Sequence, residues 1–265
     1  MHPELFTIGS FTLSSYGLCA AIAALSAAWI FDLNREQAGL SENQATMLIF
    51  IGIAAGIIGA RVFYVIQFYD EIFRFRSFWK MFRIWEGGLV FFGGFILSLL
   101  CIVLYCRRQK IALMGVLDNA APALSTAHAF GRIGCFLNGC CASTAACSLP
   151  WAVTYPAGSL GAEISGGIPV HPVQLYEALY NLLMAYPLFL LVRKAPRGCA
   201  AGVYLTGYGL WRFFLEFIRN EPKYGPFSAA QYIGMAIFAA GTALTAWSAM
   251  HRQPSRAETT ADEED

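Results

Sequence analysis

Charge is what this sequence is short of. Asp, Glu, Lys and Arg make up 13% of its 265 residues, where a soluble domain carries about 25%, so a fully solvated exterior around an apolar core is excluded. The few charges nearly cancel, at a formal +1. The concentrated basic surface of a nucleic-acid binder is therefore missing, and no nucleic-acid partner is expected. Residues 1–15 hold no Lys or Arg and so lack the positive start of a cleaved signal peptide, which makes the first apolar run a retained span. Residues 140–172 lack both as well. Cysteine is not scarce, at 8, but the paired Cys-x2-Cys spacing of a structural zinc site is absent, and neither metal nor other cofactor is expected.

What is present is apolar: 57% of residues are hydrophobic, with a mean hydropathy of +0.52. Runs approaching the roughly 20 residues a spanning helix needs fall at 16–31, 45–68, 87–106, 111–137, 172–192, 201–218 and 229–250. The expected fold is all-α, a polytopic membrane protein with seven transmembrane helices. Residues 69–86 mix charges with aromatics and read as an interfacial arm, while 140–172, rich in Gly, Ser, Thr and Pro, read as a loop region with short extended pieces near 151–155. The membrane domain spans 1–250, and the acidic 251–265 form a disordered tail. With the start outside, nine Lys and Arg lie on inner segments and six on outer ones, so the positive-inside rule puts the N-terminus and the 140–172 loop in the periplasm and the C-terminus in the cytoplasm.

Three arginines, Arg61, Arg132 and Arg212, fall inside expected spans. Ionisable groups at that depth are costly and usually face a cavity or a partner. A guanidinium stays charged when buried and its planar fork matches phosphate, so the inferred ligand is anionic, with a lipid headgroup the anion available at that depth. Arg61 either snorkels from its helix end or faces a polar interior. Arg212 follows Tyr208 and precedes Glu216 at four-residue intervals on one helical face; it either clamps the ligand or pairs with Glu216 or Glu177. His128 lies one turn before Arg132, either as a base or as a satisfied core histidine. Cys135, Cys140 and Cys141 follow, joined to Arg132 as base or nucleophile, or with Cys140 bonded to Cys147 in an oxidising compartment.

Several segments, in order along the chain, carry a resemblance. They are Phe6-Thr-Ile-Gly with Tyr16-Gly-Leu, Gly59-Ala-Arg61-Val-Phe-Tyr64, Trp85-Glu-Gly-Gly-Leu-Val-Phe-Phe-Gly-Gly94, Gly131-Arg-Ile-Gly-Cys-Phe-Leu-Asn-Gly139, His171-Pro-Val-Gln-Leu-Tyr-Glu177 and Gly207-Tyr-Gly-Leu-Trp-Arg-Phe-Phe-Leu-Glu-Phe-Ile-Arg219. The chain resembles the prolipoprotein diacylglyceryl transferase family. That resemblance implies a seven-helix enzyme of the bacterial inner membrane that moves diacylglyceryl from phosphatidylglycerol to the cysteine thiol of a prolipoprotein signal peptide, releasing glycerol phosphate. It places the family arginines on Arg132 and Arg212, the signature asparagine on Asn138, the tyrosines on Tyr16 and Tyr208, and the glutamates on Glu177 and Glu216.

Departures from the family pattern are specific. Phe92 stands where a histidine is usual; Cys135 and Cys140 replace an Asn and a Glu; Ser143 replaces a glycine; Val170 replaces an arginine. If that histidine accepts the acceptor's proton, Phe92 leaves the task to another group. Three readings follow: a divergent transferase with Arg132 and Arg212 as phosphate clamps, an anionic-phospholipid-binding protein that lost the chemistry, and a redox or metal-responsive protein built on the cysteine cluster.

Overall fold

Serines punctuate the apolar sequence, and three of them start long helices. Ser14 Oγ accepts from Gly17 N at 3.0 Å at the head of α1 (Ser15–Leu33). At α2 (Glu42–Gln67) Gln44 N donates to Ser41 Oγ at 3.3 Å and Ser41 N to Gln44 Oε1 at 3.0 Å, a reciprocal box that satisfies otherwise orphaned amides. Ser228 and Gln231 repeat it at the last helix, Ala229–Met250. The computed structural model describes residues 4–8, 11–69, 88 and 90–251 and is mostly helical.

Residues 39–113 form one of two compact units, built on α2 and α3 (Phe91–Gln109). These helices meet backbone to backbone. A β-carbon at Gly59 would strike the Gly93 carbonyl oxygen, and one at Gly94 would sit 2.6 Å from Gly56 O, the close approach that small residues permit. The expected third span began at residue 87, but the helix starts at Phe91. Gly88 takes a left-handed φ of 76°, and Val90 N donates to Ala60 O at 3.0 Å. Arg61 Nη1 donates to Gly88 O at 3.0 Å, and its guanidinium lies 5.1 Å from the Tyr64 ring centre. The head group is thus held by protein. The expected arm at 69–86, apart from Tyr69, and the tail beyond residue 251 lie outside the described residues.

The other unit, residues 1–38 and 114–265, carries β1 (Glu4–Ile8) and β2 (Phe11–Ser14), then α1, α4 (Leu113–Asn138), α5 (Leu160–Ser165), α6 (Val173–Lys194), α7 (Cys199–Arg219), β3 (Lys223–Tyr224), β4 (Phe227–Ser228) and α8 (Ala229–Met250). The mostly helical chain agrees with the all-α expectation, with two short antiparallel hairpins, β1–β2 and β3–β4, added to it. In the expected loop region Val153 and Val170 exchange backbone hydrogen bonds, both at 3.0 Å. Ala142, Tyr155 and Val170 gather there into a small buried core. Val170 is fully buried, which suits the aliphatic side chain found in place of the family arginine.

The interior of this unit mixes many polar groups with apolar ones, and its exterior is apolar. Asn119, Ser125, Gln174, Glu177, Asn181 and Glu216 are buried, while Leu25, Trp29, Leu183 and Phe214 are exposed. Such a surface suits lipid, and several of the buried polar groups find partners inside. Asn119 Nδ2 donates to Phe31 O at 2.8 Å and Ser125 Oγ to Asn181 O at 2.8 Å. By length and composition α1, α2, α3, α6 and α8 are apolar enough to cross a membrane. The two other long helices, α4 and α7, carry the polar residues of the site below.

Helix α7 has no capping side chain of its own at Gly198. Asp118 of α4 serves instead, its Oδ2 accepting from Gly198 N at 2.5 Å and its Oδ1 from Ala201 N at 2.9 Å. A carboxylate at a helix N-terminus satisfies free amides and complements the dipole. Asp118→Ala is expected to lower stability by about 1–3 kcal/mol, with Asp118→Asn costing less; thermal unfolding in detergent measures both, and an unchanged Asp118→Ala midpoint would refute the capping role.

Candidate active site

Helical spacing puts His128, Arg132 and Cys135 along one side of α4, and Tyr208, Arg212 and Glu216 along one side of α7. Between them α6 supplies Glu177, whose side chain is only 3% exposed. Arg132 grips this carboxylate with both arms of its fork: Nη2 donates to Oε1 at 3.0 Å, and Nε lies 3.0 Å from Oε2. His128 Nε2 completes a triangle, 3.3 Å from Arg132 Nε and 3.1 Å from Glu177 Oε1. Those two contacts exclude one another as hydrogen bonds, since Nε2 either accepts from the arginine or donates to the glutamate. Tyr208 Oη donates to Glu177 Oε1 at 3.5 Å, and its ring lies 5.3 Å from that of His128.

Arg212 lies 3.0 Å from Glu216 Oε2 through Nη1. The separation is that of an ion pair, yet neither Glu216 oxygen nor Arg212 Nη1 makes an aligned hydrogen bond. Charge holds the pair, and its donors are not committed by direction. Arg212 also acts electrostatically on Glu177 and Tyr208, which makes the α6 carboxylate the common neighbour of both arginines. The expected pairing of Arg212 with Glu216 is therefore present, and the Glu177 contact is made by Arg132 instead.

Tyr16 of α1 crosses α4 at Gly134, where a β-carbon would come within 3.3 Å of its ring. It lies within electrostatic reach of Arg132 and the three following cysteines. Asn138 ends α4 beside the Cys140 thiol, which donates to Cys135 O at 3.6 Å. The sulfurs of Cys135, Cys140 and Cys141 all lie within 4.8 Å of one another, a convergence that spacing alone did not suggest. Hydrogen bonds from Cys135 and then Cys140 pull the Cys141 thiol below its ordinary range, with Arg132 and Arg219 adding to the effect. The alternative of a Cys140–Cys147 link is not realised, both thiols being free.

The structure thus brings Tyr16, His128, Arg132, Asn138, Glu177, Tyr208, Arg212 and Glu216 into one unit, whereas Arg61 and Phe92 belong to the unit of residues 39–113. Phe92 is exposed and packs edge-on to Phe91 at 5.9 Å. Sequence reading missed Gln174, which is buried and donates to Cys140 O at 2.8 Å and to Tyr155 Oη at 2.9 Å. It also missed Ser143, whose hydroxyl donates to Ile218 O at 2.7 Å and so ties the segment after the cysteines to the end of α7. Gln174 stands three residues before Glu177 and Ser143 at a departure from the family pattern, the only signals available in advance.

The sequence profile of the prolipoprotein diacylglyceryl transferase family matches residues 3–247. The phosphatidylglycerol–prolipoprotein diacylglyceryl transferase of Vibrio vulnificus (strain YJ016) is 31% identical over 256 residues, covering 93% of this chain and 91% of that protein. The transferases of the same name from Vibrio cholerae (El Tor Inaba N16961) and Pasteurella multocida (Pm70) are 32% and 33% identical, covering 94% and 88% of this chain and 92% and 84% of theirs.

A double-mutant cycle on Arg132→Gln and Glu177→Gln tests the central pair. Each single change leaves a buried charge without its partner and is expected to cost about 3–5 kcal/mol, with the double variant less destabilised than the sum by roughly 1–3 kcal/mol. Strict additivity in thermal unfolding would show that the fork contributes nothing.

Proposed function

The chain belongs to the prolipoprotein diacylglyceryl transferase family, and on that premise we propose that it moves diacylglyceryl from phosphatidylglycerol onto the lipobox cysteine thiol of prolipoproteins, in lipoprotein biosynthesis. It is a transferase of the membrane. The observation that carries the reading is the pair of guanidiniums in a polar interior, each anchored by a buried glutamate and each keeping donors in hand. Arg132 Nη1 has no protein acceptor among the described residues, and Arg212 faces Glu216 without aligned bonds.

The chemistry asks for these donors. A thiolate attacks the glycerol carbon that carries the phosphate ester, the S–C bond forms as the C–O bond breaks, and negative charge grows on the leaving phosphate oxygens. Donors fixed in advance stabilise that charge most effectively in a water-poor interior. Arg132 and Arg212 hold the phosphate in our proposal. Glu177 fixes the Arg132 guanidinium, Glu216 tethers that of Arg212 by charge, and Tyr16, Tyr208 and Asn138 line the substrate-binding site. His128, whose Nε2 is already shared between Arg132 and Glu177, is a positioning residue. Arg61, held at Gly88, is assigned a supporting contact to lipid.

Helices α4 and α7 complete a set of seven spans in this reading, with the N-terminus periplasmic, residues 1–250 as the membrane domain and residues beyond as a cytoplasmic tail in the bacterial inner membrane. The length of α4, 26 residues, and of α7, 21 residues, supports this, since about 20 helical residues cross the hydrocarbon core. Their polar groups face protein, which is where intramembrane polarity is tolerated. The signal peptide of the prolipoprotein approaches from the bilayer.

Transfer of labelled diacylglyceryl from phosphatidylglycerol vesicles to a lipobox peptide tests the reading. The wild-type protein, with Phe92 in place, is expected to transfer label; Arg132→Ala and Arg212→Ala are each expected to lower the rate by roughly 10²–10³-fold, without rescue by lysine, which lacks the planar fork. A protein that binds the lipid yet transfers nothing until Phe92→His is introduced would instead be a phospholipid-binding relative.

A further inference from the structure

The thiolate that starts the reaction has no evident source in the residues assigned so far. A free cysteine thiol, with a pKa of about 8.5, is mostly protonated at neutral pH, and Phe92 offers no proton acceptor. The three thiols at the end of α4 are unused by the scheme above, and their geometry is specific. Cys135 lies in the last turn of the helix, Gly139 turns the chain with φ 77°, and Cys141 is itself held at φ 60°. Cys140 N donates to Cys135 O at 3.1 Å, and buried Gln174 fixes the Cys140 carbonyl at 2.8 Å. The frame is bonded on both sides, so the three sulfurs are presented together.

Sulfurs bound at about 2.3 Å to one tetrahedral ion stand roughly 3.8 Å apart. The observed separations, none above 4.8 Å, require a closure of about 1 Å at most, within the reach of side-chain rotation. A donor set of three sulfurs selects a soft or borderline cation over magnesium or calcium. Three protein ligands with one position open is the pattern of a catalytic zinc site, whereas structural zinc takes four. Three thiolates and a divalent ion leave one net negative charge, and Arg132 and Arg219 lie close enough to Cys141 to balance it.

We propose that Cys135, Cys140 and Cys141 bind a thiophilic divalent cation, zinc by its donor preference, whose open fourth position takes the acceptor cysteine of the lipobox peptide. This rests on the transferase reading. A thiol that coordinates zinc loses its proton; here the proton passes to a hydroxide leaving the fourth position, which departs as water. The bound sulfur then supplies the electron pair that forms the S–C bond to glycerol, the C–O bond to phosphate breaks, and glycerol phosphate leaves beside Arg132 with the electron pair of the broken C–O bond. No electron is gained or lost by the metal.

Cobalt(II) is the probe. Full-length protein, purified in detergent with phosphatidylglycerol under a phosphine reductant, is expected to bind one Co(II) per chain with sulfur-to-cobalt charge-transfer absorption. The absorption is expected to vanish in Cys140→Ser and Cys141→Ser and to persist in Cys101→Ser and Cys199→Ser. If the first two variants do not fold, the wild-type spectrum decides. Adding a lipobox peptide is expected to raise the charge-transfer intensity, and its serine counterpart to leave it unchanged. No such absorption, a disulfide within the cluster in protein prepared without reductant, or a spectrum indifferent to the peptide thiol would each overturn the proposal. Full transfer activity by chelator-stripped protein would overturn it while leaving the transferase reading intact. A cobalt site that captures the peptide thiol in a protein with no transfer would instead remove that reading and keep the metal site.

Discussion

The carboxylate of Glu177 is the constraint on which the rest of this site depends. It is removed from water and held by a fork from Arg132, a contact from His128 and a long one from Tyr208. An isolated carboxylate in that position would be untenable, and a guanidinium in the same interior equally so. Each makes the other possible, although a buried pair adds little net stability over apolar packing. What it supplies is position. Three helices, α4, α6 and α7, meet through one functional group, and the direction in which Arg132 points is set by a neighbour that cannot move into solvent.

The second arginine is built differently. Arg212 and Glu216 sit one turn apart on the same helix, so their proximity is assured by α-helical geometry alone, and no aligned hydrogen bond restricts them. The site therefore pairs a guanidinium fixed between helices with one tethered within a helix. A phosphate entering between them would find one donor already oriented and one free to turn.

Much of the helical frame was legible in advance because the long apolar runs cannot hide: the final span at 229–250 and the helix Ala229–Met250 coincide. The site arginines stood out for the same reason, as charges in apolar surroundings. Boundaries failed where local backbone overrode composition, as at Gly88, whose left-handed φ delays α3 to Phe91. The hairpins at Glu4–Ser14 and at Lys223–Ser228 are too short for a clear alternating pattern. The cysteines stood out as a group, but the convergence of three sulfurs on one point did not, for a different reason. Spacing rules describe ligands on a shared loop, whereas these three sulfurs meet because a helix end, a left-handed glycine and a left-handed cysteine fold the chain back on itself.

The capping of α7 by Asp118 has a geometric consequence. Gly198 is pinned to α4 from outside, so every residue of α7 is metered from that fixed end, and Arg212 stands fourteen residues along, about 21 Å away at 1.5 Å per residue. One extra residue between the pin and Arg212 would rotate the guanidinium by about 100° about the helix axis and turn it toward a different wall. The helix works as a measuring rod whose zero is a carboxylate on its neighbour, which makes the length of α7, more than its composition, the quantity that the position of the second arginine obeys.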